Sequence, residues 1–325
     1  MDRRSAGLLA LWAAVGIWAL PPLFIRYFTR FYDLHTQNFF RYLAACAGLV
    51  LLRAMARPKR FFPTRGEWAG LLAPTVANLV FQTCNVAALY RIDPGLVAFL
   101  GKSAVIFSAI FAFALFREER SVIRSPLFLA GGALALAGVT GLSTFRIGGT
   151  DDFAKGVVLT LIGAAGWGAY VVAIRHAVRS ISPATSYTFV SLNATVAFGA
   201  AAILFGKPGE FVSAGLLPAA LLVLSGLLCL AVAHTAYYYA IERLGAAIPG
   251  TAILASPLLT VFLSRWIFGE RLSAMQAVSG GALLVGALLT VRAGPSGKGR
   301  DASARGKKGE NALDWACAEN TIGVP

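Results

Sequence analysis

Thr75, Asn78, Gln82 and Asn85 follow one another at spacings of three, four and three residues, so a helix carries them as one polar stripe. Uncharged donors and acceptors of this kind hold a solute by hydrogen bonds and make no covalent bond with it. His234 and Tyr237 stand 152 residues after Gln82 and Asn85 and repeat their three-residue step. Trp18, Trp167 and Tyr170 offer flat faces to a planar or aliphatic solute. Lys102 sets a cation inside an apolar run, where it would attract a carboxylate or phosphate or give up its charge on occlusion. Each has a plainer reading. The amides would serve as hydrogen-bonded glue between helices and the rings as packing. The Lys102 stem would snorkel to the surface, as would Arg41 and Arg265, which lie nearer the ends of their runs.

The residues that make and break bonds do not form a pattern. Three scattered His give no zinc spacing, and they form no catalytic constellation with a Ser, a Cys or paired carboxylates. Gly101-Lys102-Ser103 matches the end of a phosphate-binding loop, but the Gly that loop needs at position 96 is Leu96. Asn193-Ala194-Thr195 is a glycosylation sequon in form only, because an apolar run buries it beyond any transferase. Cys46, Cys84 and Cys229 fall in apolar runs and Cys317 near the C-terminus, which reads as packing without redox or metal chemistry. The expectation is a chain that is not an enzyme and takes no cofactor and no metal.

The elements that must position these residues follow from composition. The 325 residues are 57% hydrophobic and 14% charged, and the mean hydropathy is +0.69. Such figures exclude a single soluble domain and a disordered chain, and four Cys over this length make no disulfide framework. A polytopic, all-α membrane protein remains. Runs long enough to cross a bilayer core of about 30 Å extend from Leu8 to Ile25, Thr36 to Leu52, Trp68 to Tyr90, Gly95 to Phe116 and Pro126 to Leu142. Five more run from Phe153 to Ile174, Thr185 to Phe205, Leu216 to Ile241, Ala246 to Phe268 and Ser273 to Val291. Ten spans with a cytosolic N-terminus put most of the 29 Lys and Arg on one side, including Arg53, Arg60, Arg65, Arg124, Arg243 and Arg292. The positive-inside rule then places both termini in the cytoplasm of a multi-pass protein of the cytoplasmic (inner) membrane. The net charge of +14 is an orientation signal, and nucleic acid is not an expected partner. Leu8 to Ile25 reads as the first anchor and not as a cleaved signal. From about Ala293 the composition turns to Gly, Ser, Lys and Arg, which reads as a disordered cytoplasmic tail over 293–325.

The chain also repeats itself. Trp18, Ile25 and Arg26 match Trp167, Ile174 and Arg175 at an offset of 149, and Thr83, Ala88 and Arg91 match Thr235, Ala240 and Arg243 at 152. The units are 1–147 and 148–292. Each carries five spans, an odd number, so the second must insert upside down relative to the first. Inverted repeats of this kind hold a substrate near the midplane between the halves.

Leu244-Gly245-Ala246-Ala247-Ile248-Pro249-Gly250, Ser256-Pro257-Leu258-Leu259-Thr260, Phe268-Gly269-Glu270-Arg271-Leu272 and Gly280-Gly281 resemble the second repeat of EamA-type transporters of the drug/metabolite transporter superfamily. Asp93-Pro94-Gly95, Phe116 and Glu118 to Arg120 look like its degenerate partner in the first repeat. The resemblance implies a ten-helix carrier with a central cavity lined largely by spans one, three, four, six, eight and nine. The first repeat departs at Leu100-Gly101-Lys102-Ser103, where the second has Ala252-Ile253-Leu254-Ala255, and this makes the cavity asymmetric. The first span has none of the acidic residues essential to the small multidrug antiporters. No span has an Asp or Glu near its centre to relay protons.

Together these readings give a secondary carrier of a small polar or amphipathic metabolite, an anion such as an amino acid or organic acid among the options, working by alternating access. Trp18, Asn78, Gln82, Asn85, Lys102, Trp167, Tyr170, His234 and Tyr237 are the expected substrate-binding residues. Its partners would be the solute and the bilayer, with a coupling proton admitted through His234, in a monomer or homodimer. The alternatives are a flippase or carrier of lipid-linked or phosphorylated sugars, and a non-transporting membrane sensor or scaffold. The ninth span is expected to bend around Pro249-Gly250 and Ser256-Pro257.

Overall fold

A computed structural model describes residues 3–56, 58, 60–115, 124–144, 151–177, 181–244 and 247–293, which form helices and turns with no strand among them. The 293–325 tail expectation beyond Ala293, Cys317, Phe116, Glu118 to Arg120, and Gly245-Ala246 lie outside the described residues. Eight helical stretches are long and apolar enough to cross a membrane, and two shorter apolar helices, Pro126–Leu142 and Ile253–Phe268, accompany them.

The chain opens with α1 (Arg3–Ile17) and α2 (Pro21–Phe28), which together make one membrane-length stretch. The junction falls at Trp18–Leu20 because Pro21 and Pro22 bring no N–H to the ladder and clash with a continued helix. Helix α3 (Leu34–Met55) starts at Asp33, whose carboxylate accepts from the His35 and Thr36 N–H groups at 2.7 and 3.0 Å. Then come α4 (Arg65–Gly70), α5 (Leu72–Leu89) and α6 (Pro94–Leu100), a 3-10 turn at Gly101–Ser103, α7 (Ala104–Leu115) and α8 (Pro126–Thr144).

The second half has a long unbroken α9 (Asp151–Ala177) and α10 (Pro183–Phe205), the latter capped by Ser182. After α11 (Glu210–Ser213), α12 (Leu216–Ser225) passes through a π-helical segment at Gly226–Val232 into α13 (Ala233–Leu244). Then α14 (Ala247–Ala252) meets α15 (Ser256–Phe268) through a 3-10 turn at Ile253–Ala255, between the two prolines where the sequence predicts a bend. Gly269, at φ 70°, ends α15 in the left-handed conformation that glycine adopts without a Cβ clash. The chain's described part closes with α16 (Ala274–Ala293).

Helices of one half pack on helices of the other: α1 on α13, α3 on α10, α5 on α9, α6 on α15 and α8 on α16. Matched helices run antiparallel. His35 at the start of α3 faces Phe205 at the end of α10, and Arg53 at its other end donates to Thr185 Oγ1 at 2.7 Å. Small residues set the closest approaches. A Cβ on Gly286 of α16 would stand 2.4 Å from Ala135 N, and one on Gly138 of α8 would stand 2.5 Å from Leu283 N.

Candidate functional site

Elements of both halves converge on His234, near the start of α13. Its ring stacks on Tyr187 of α10 at 4.1 Å and 11°, and Trp18 meets it edge-on at 4.8 Å. Trp18 can reach because the α1–α2 break frees its backbone direction, and its Nε1 donates to Cys229 O in the π-helical segment at 3.2 Å. Tyr237 lies 4.8 Å from Trp18 on the far side. Trp167 of α9 approaches His234 at 6.5 Å and carries Tyr170 at 5.2 Å and Phe81 of α5 at 4.9 Å. Tyr238 closes the ring at 6.4 Å from His234. Five of the expected residues, Trp18, Trp167, Tyr170, His234 and Tyr237, therefore form one aromatic cluster.

Three buried polar atoms of this cluster, His234 Nδ1, Tyr170 Oη and Tyr187 Oη, make no hydrogen bond of good geometry. Buried groups of this kind cost about 1 to 3 kcal/mol each when unsatisfied. An arrangement of flat faces and idle polar tips is suited to gripping an amphipathic molecule: rings along its apolar body, hydroxyls and imidazole at its polar end.

The polar stripe on α5 is buried at Thr75, Asn78 and Gln82 and half-buried at Asn85. Part of it ties helices together. Asn78 Nδ2 donates to Tyr42 Oη at 2.8 Å, and Tyr42 Oη donates back to Asn78 Oδ1 at 3.1 Å. Asn193 Nδ2 donates to Thr75 Oγ1 at 3.3 Å. Lys102 sits in the 3-10 turn of its span, half-buried, and that turn packs against α9 and α16. The ring contacts and hydrogen bonds among the described residues do not bring Lys102 or Asn85 to the aromatic cluster.

Arg265 is exposed. Arg41 is not. It is 1% exposed, with Nε donating to Ser225 Oγ at 3.2 Å, so the snorkelling reading is corrected for this residue. Its distance from the start of α3 misled because the loop 206–211 folds over that end: Lys207 N donates to Asp33 Oδ2 at 2.8 Å, and Asp33 N donates to Glu210 Oε2 at 3.0 Å. Tyr42, Tyr187 and Tyr238 were also missed; tyrosines inside apolar runs are the signal that was available.

Four loops meet at this end of the bundle. Tyr90 Oη accepts from Gln37 Nε2 at 2.8 Å and donates to Tyr32 O. Gly95 N, at the start of α6, donates to Glu270 Oε2 at 3.1 Å. Two carboxyls here are tuned in opposite directions. Burial pushes Asp33 up, but hydrogen bonds from Thr36, Lys207 and His35 outweigh it and hold the group below its ordinary value. At Glu270 burial prevails over the hydrogen bond from Gly95, and the carboxyl sits above its ordinary value.

A family model, the EamA-like transporter family, matches residues 5–144 and again 154–292. No curated protein matches the chain. Among 22 matching chains of solved structures, one described only as "Crystal structure of protein" aligns at 17% identity with a TM-score of 0.60, over 89% of this chain and 97% of that one. At that identity the likeness concerns the fold alone.

Proposed function

The chain belongs to the EamA-like transporter family, and on that premise we propose that it is a secondary carrier of a small polar or amphipathic metabolite. Two inverted five-helix repeats, 1–147 and 148–292, make ten transmembrane helices that alternate access to a central site. The protein lies in the cytoplasmic membrane with both termini in the cytosol, and 293–325 forms a polar tail. Its partners are the solute and the surrounding lipid, and it works as a monomer or homodimer without nucleic acid. Trp18, Trp167, Tyr170, His234 and Tyr237 hold the apolar body of the solute, while Asn78, Gln82, Asn85 and Lys102 serve its polar groups. His234 is the residue through which a proton would couple. The observation that carries this reading is the aromatic cluster contributed by both repeats, with buried polar tips that make no hydrogen bond of good geometry.

Untargeted metabolite profiling inside and outside cells tests it, comparing wild type, His234→Ala, Lys102→Ala and an empty vector. Redistribution of one solute class by the wild type, reduced at least tenfold in His234→Ala, is the expected result. Redistribution untouched by Lys102→Ala returns that lysine to a snorkelling role. No redistribution by a folded, membrane-inserted wild type would overturn carriage.

A further inference from the structure

Arg41 is the largest fully buried side chain of the described residues, and it carries a charge that a guanidinium does not shed. Its Nη1 has neither solvent nor a hydrogen-bond partner. One turn earlier on α3, Asn38 is wholly buried with both side-chain polar atoms unpartnered. Opposite lies Ser225, at the point where α12 gives way to the π-helical segment, with its Oγ on Arg41 Nε. The two backbones are pressed together there: a Cβ on Gly226 would stand 2.2 Å from Arg41 O.

Among the described residues no acidic side chain pairs with Arg41. The ion pairs of the described residues are Arg60 with Glu67, Arg91 with Asp152 and Lys207 with Glu210. The acid closest along the chain, Asp33, is spent on capping α3 and on Lys207 N. An uncompensated buried ion costs several kcal/mol. A ligand that brings the missing charge would offset that cost, and π-helical insertions recur at functional sites.

We propose that Arg41, Asn38 and Ser225 form a binding site for one carboxylate, with Arg41 Nη1 and Asn38 Nδ2 donating to its oxygens. The site deepens the carrier reading and rests on it: the carboxylate belongs to the transported solute. Arg41, not Lys102, is then the cation that selects for charge. Tyr42, next in the chain, joins this site to the polar stripe of α5 through Asn78.

The test is thermal unfolding of the purified full-length protein in detergent, titrated with sodium acetate or with sodium chloride at ionic strength held constant by a bulky sulfonate salt. Acetate raises the midpoint saturably in wild type. Arg41→Gln weakens the apparent affinity tenfold or more, the loss expected for a charge-assisted hydrogen bond, and Asn38→Ala weakens it less. Should Arg41→Gln fail to give a monodisperse protein, Arg41→Lys, which keeps the charge and loses the fork, must still respond with lowered affinity. A chloride response equal to that of acetate assigns the site to an inorganic ion and overturns its solute role. No acetate response in wild type, or an undiminished one in the Arg41 variants, overturns the site itself. Acetate binding without flux would remove carriage and leave the site; flux of neutral solutes without acetate binding would do the reverse.

Discussion

Gln82 on α5 and His234 on α13 occupy matching positions 152 residues apart, as do Asn85 and Tyr237, yet one helix offers amides and the other rings. The backbones differ as well. The spans holding α6–α7 and α14–α15 share a 3-10 turn at the same offset, Gly101–Ser103 and Ile253–Ala255. Elsewhere the irregularities are one-sided: the first repeat breaks between α1 and α2, where α9 runs straight through, and among the described residues only the second carries a π-helical segment. The cause is local at the first of these. Pro21 and Pro22 stand where the second repeat has Tyr170 and Val171, so a backbone break in one half is a tyrosine wall in the other. At these matched positions α5 carries amides and α13 carries rings, while helices of the two halves pack on one another throughout.

The packing shared by both halves breaks most completely at its glycines. Gly286→Val drives a side chain into the Ala135 backbone and should cost roughly 3 kcal/mol or more, seen as loss of monodisperse protein. Gly281→Val, where a Cβ meets nothing within 4 Å, should leave the yield unchanged. Hydroxyl deletions sharpen the contrast between amide and ring sides. Tyr42→Phe leaves Asn78 without its partner and should destabilise by about 1 to 2 kcal/mol in thermal unfolding. Tyr187→Phe removes an Oη that makes no hydrogen bond of good geometry and should be neutral or stabilising.

Acid separates the two loop carboxyls. Asp33 has a lowered folded value, so its contribution is present above its unfolded value and lost as pH falls through the folded one. Glu270 has a raised value, so its contribution is present below its unfolded value and lost as pH rises through the folded one. Between about pH 3 and 7, wild type should therefore lose ground against Asp33→Asn on acidification and against Glu270→Gln on neutralisation. The Asp33 effect should stay below about 1 kcal/mol because solvent screens this half-exposed group. Smallest of all is Lys102→Leu, which gives the first repeat the residue of the second, Leu254, and should change the unfolding free energy by less than about 0.5 kcal/mol.

Much of this was readable from residues in order. Hydropathy runs located the eight membrane-length helical stretches and the two shorter apolar helices, and the stripe of α5 is buried at Thr75, Asn78 and Gln82 as its spacing demands. Pro249 and Pro257 bracketed the turn at Ile253–Ala255. What escaped depends on distant chain segments. Arg41 looked peripheral when counted from the start of its run, and it is interior because the loop around Lys207 covers that end. The stacking of Tyr187 on His234 requires α10 and α13 to be docked, which no local pattern encodes.

The pairing of helices across the halves also sets a timetable for making the protein. Helix α5 docks against Gly163 and Gly166 of α9, α3 against α10 and α8 against α16, so the helices that the first half packs on are synthesised after it. At about 5 to 20 residues per second, the early helices wait in the bilayer for roughly five to thirty seconds. During that interval the stripe with Thr75, whose partner Asn193 does not yet exist, faces lipid or a chaperone. Assembly must then be a late, concerted event, and a chain cut between Thr144 and Asp151 should mature only when both pieces are made together.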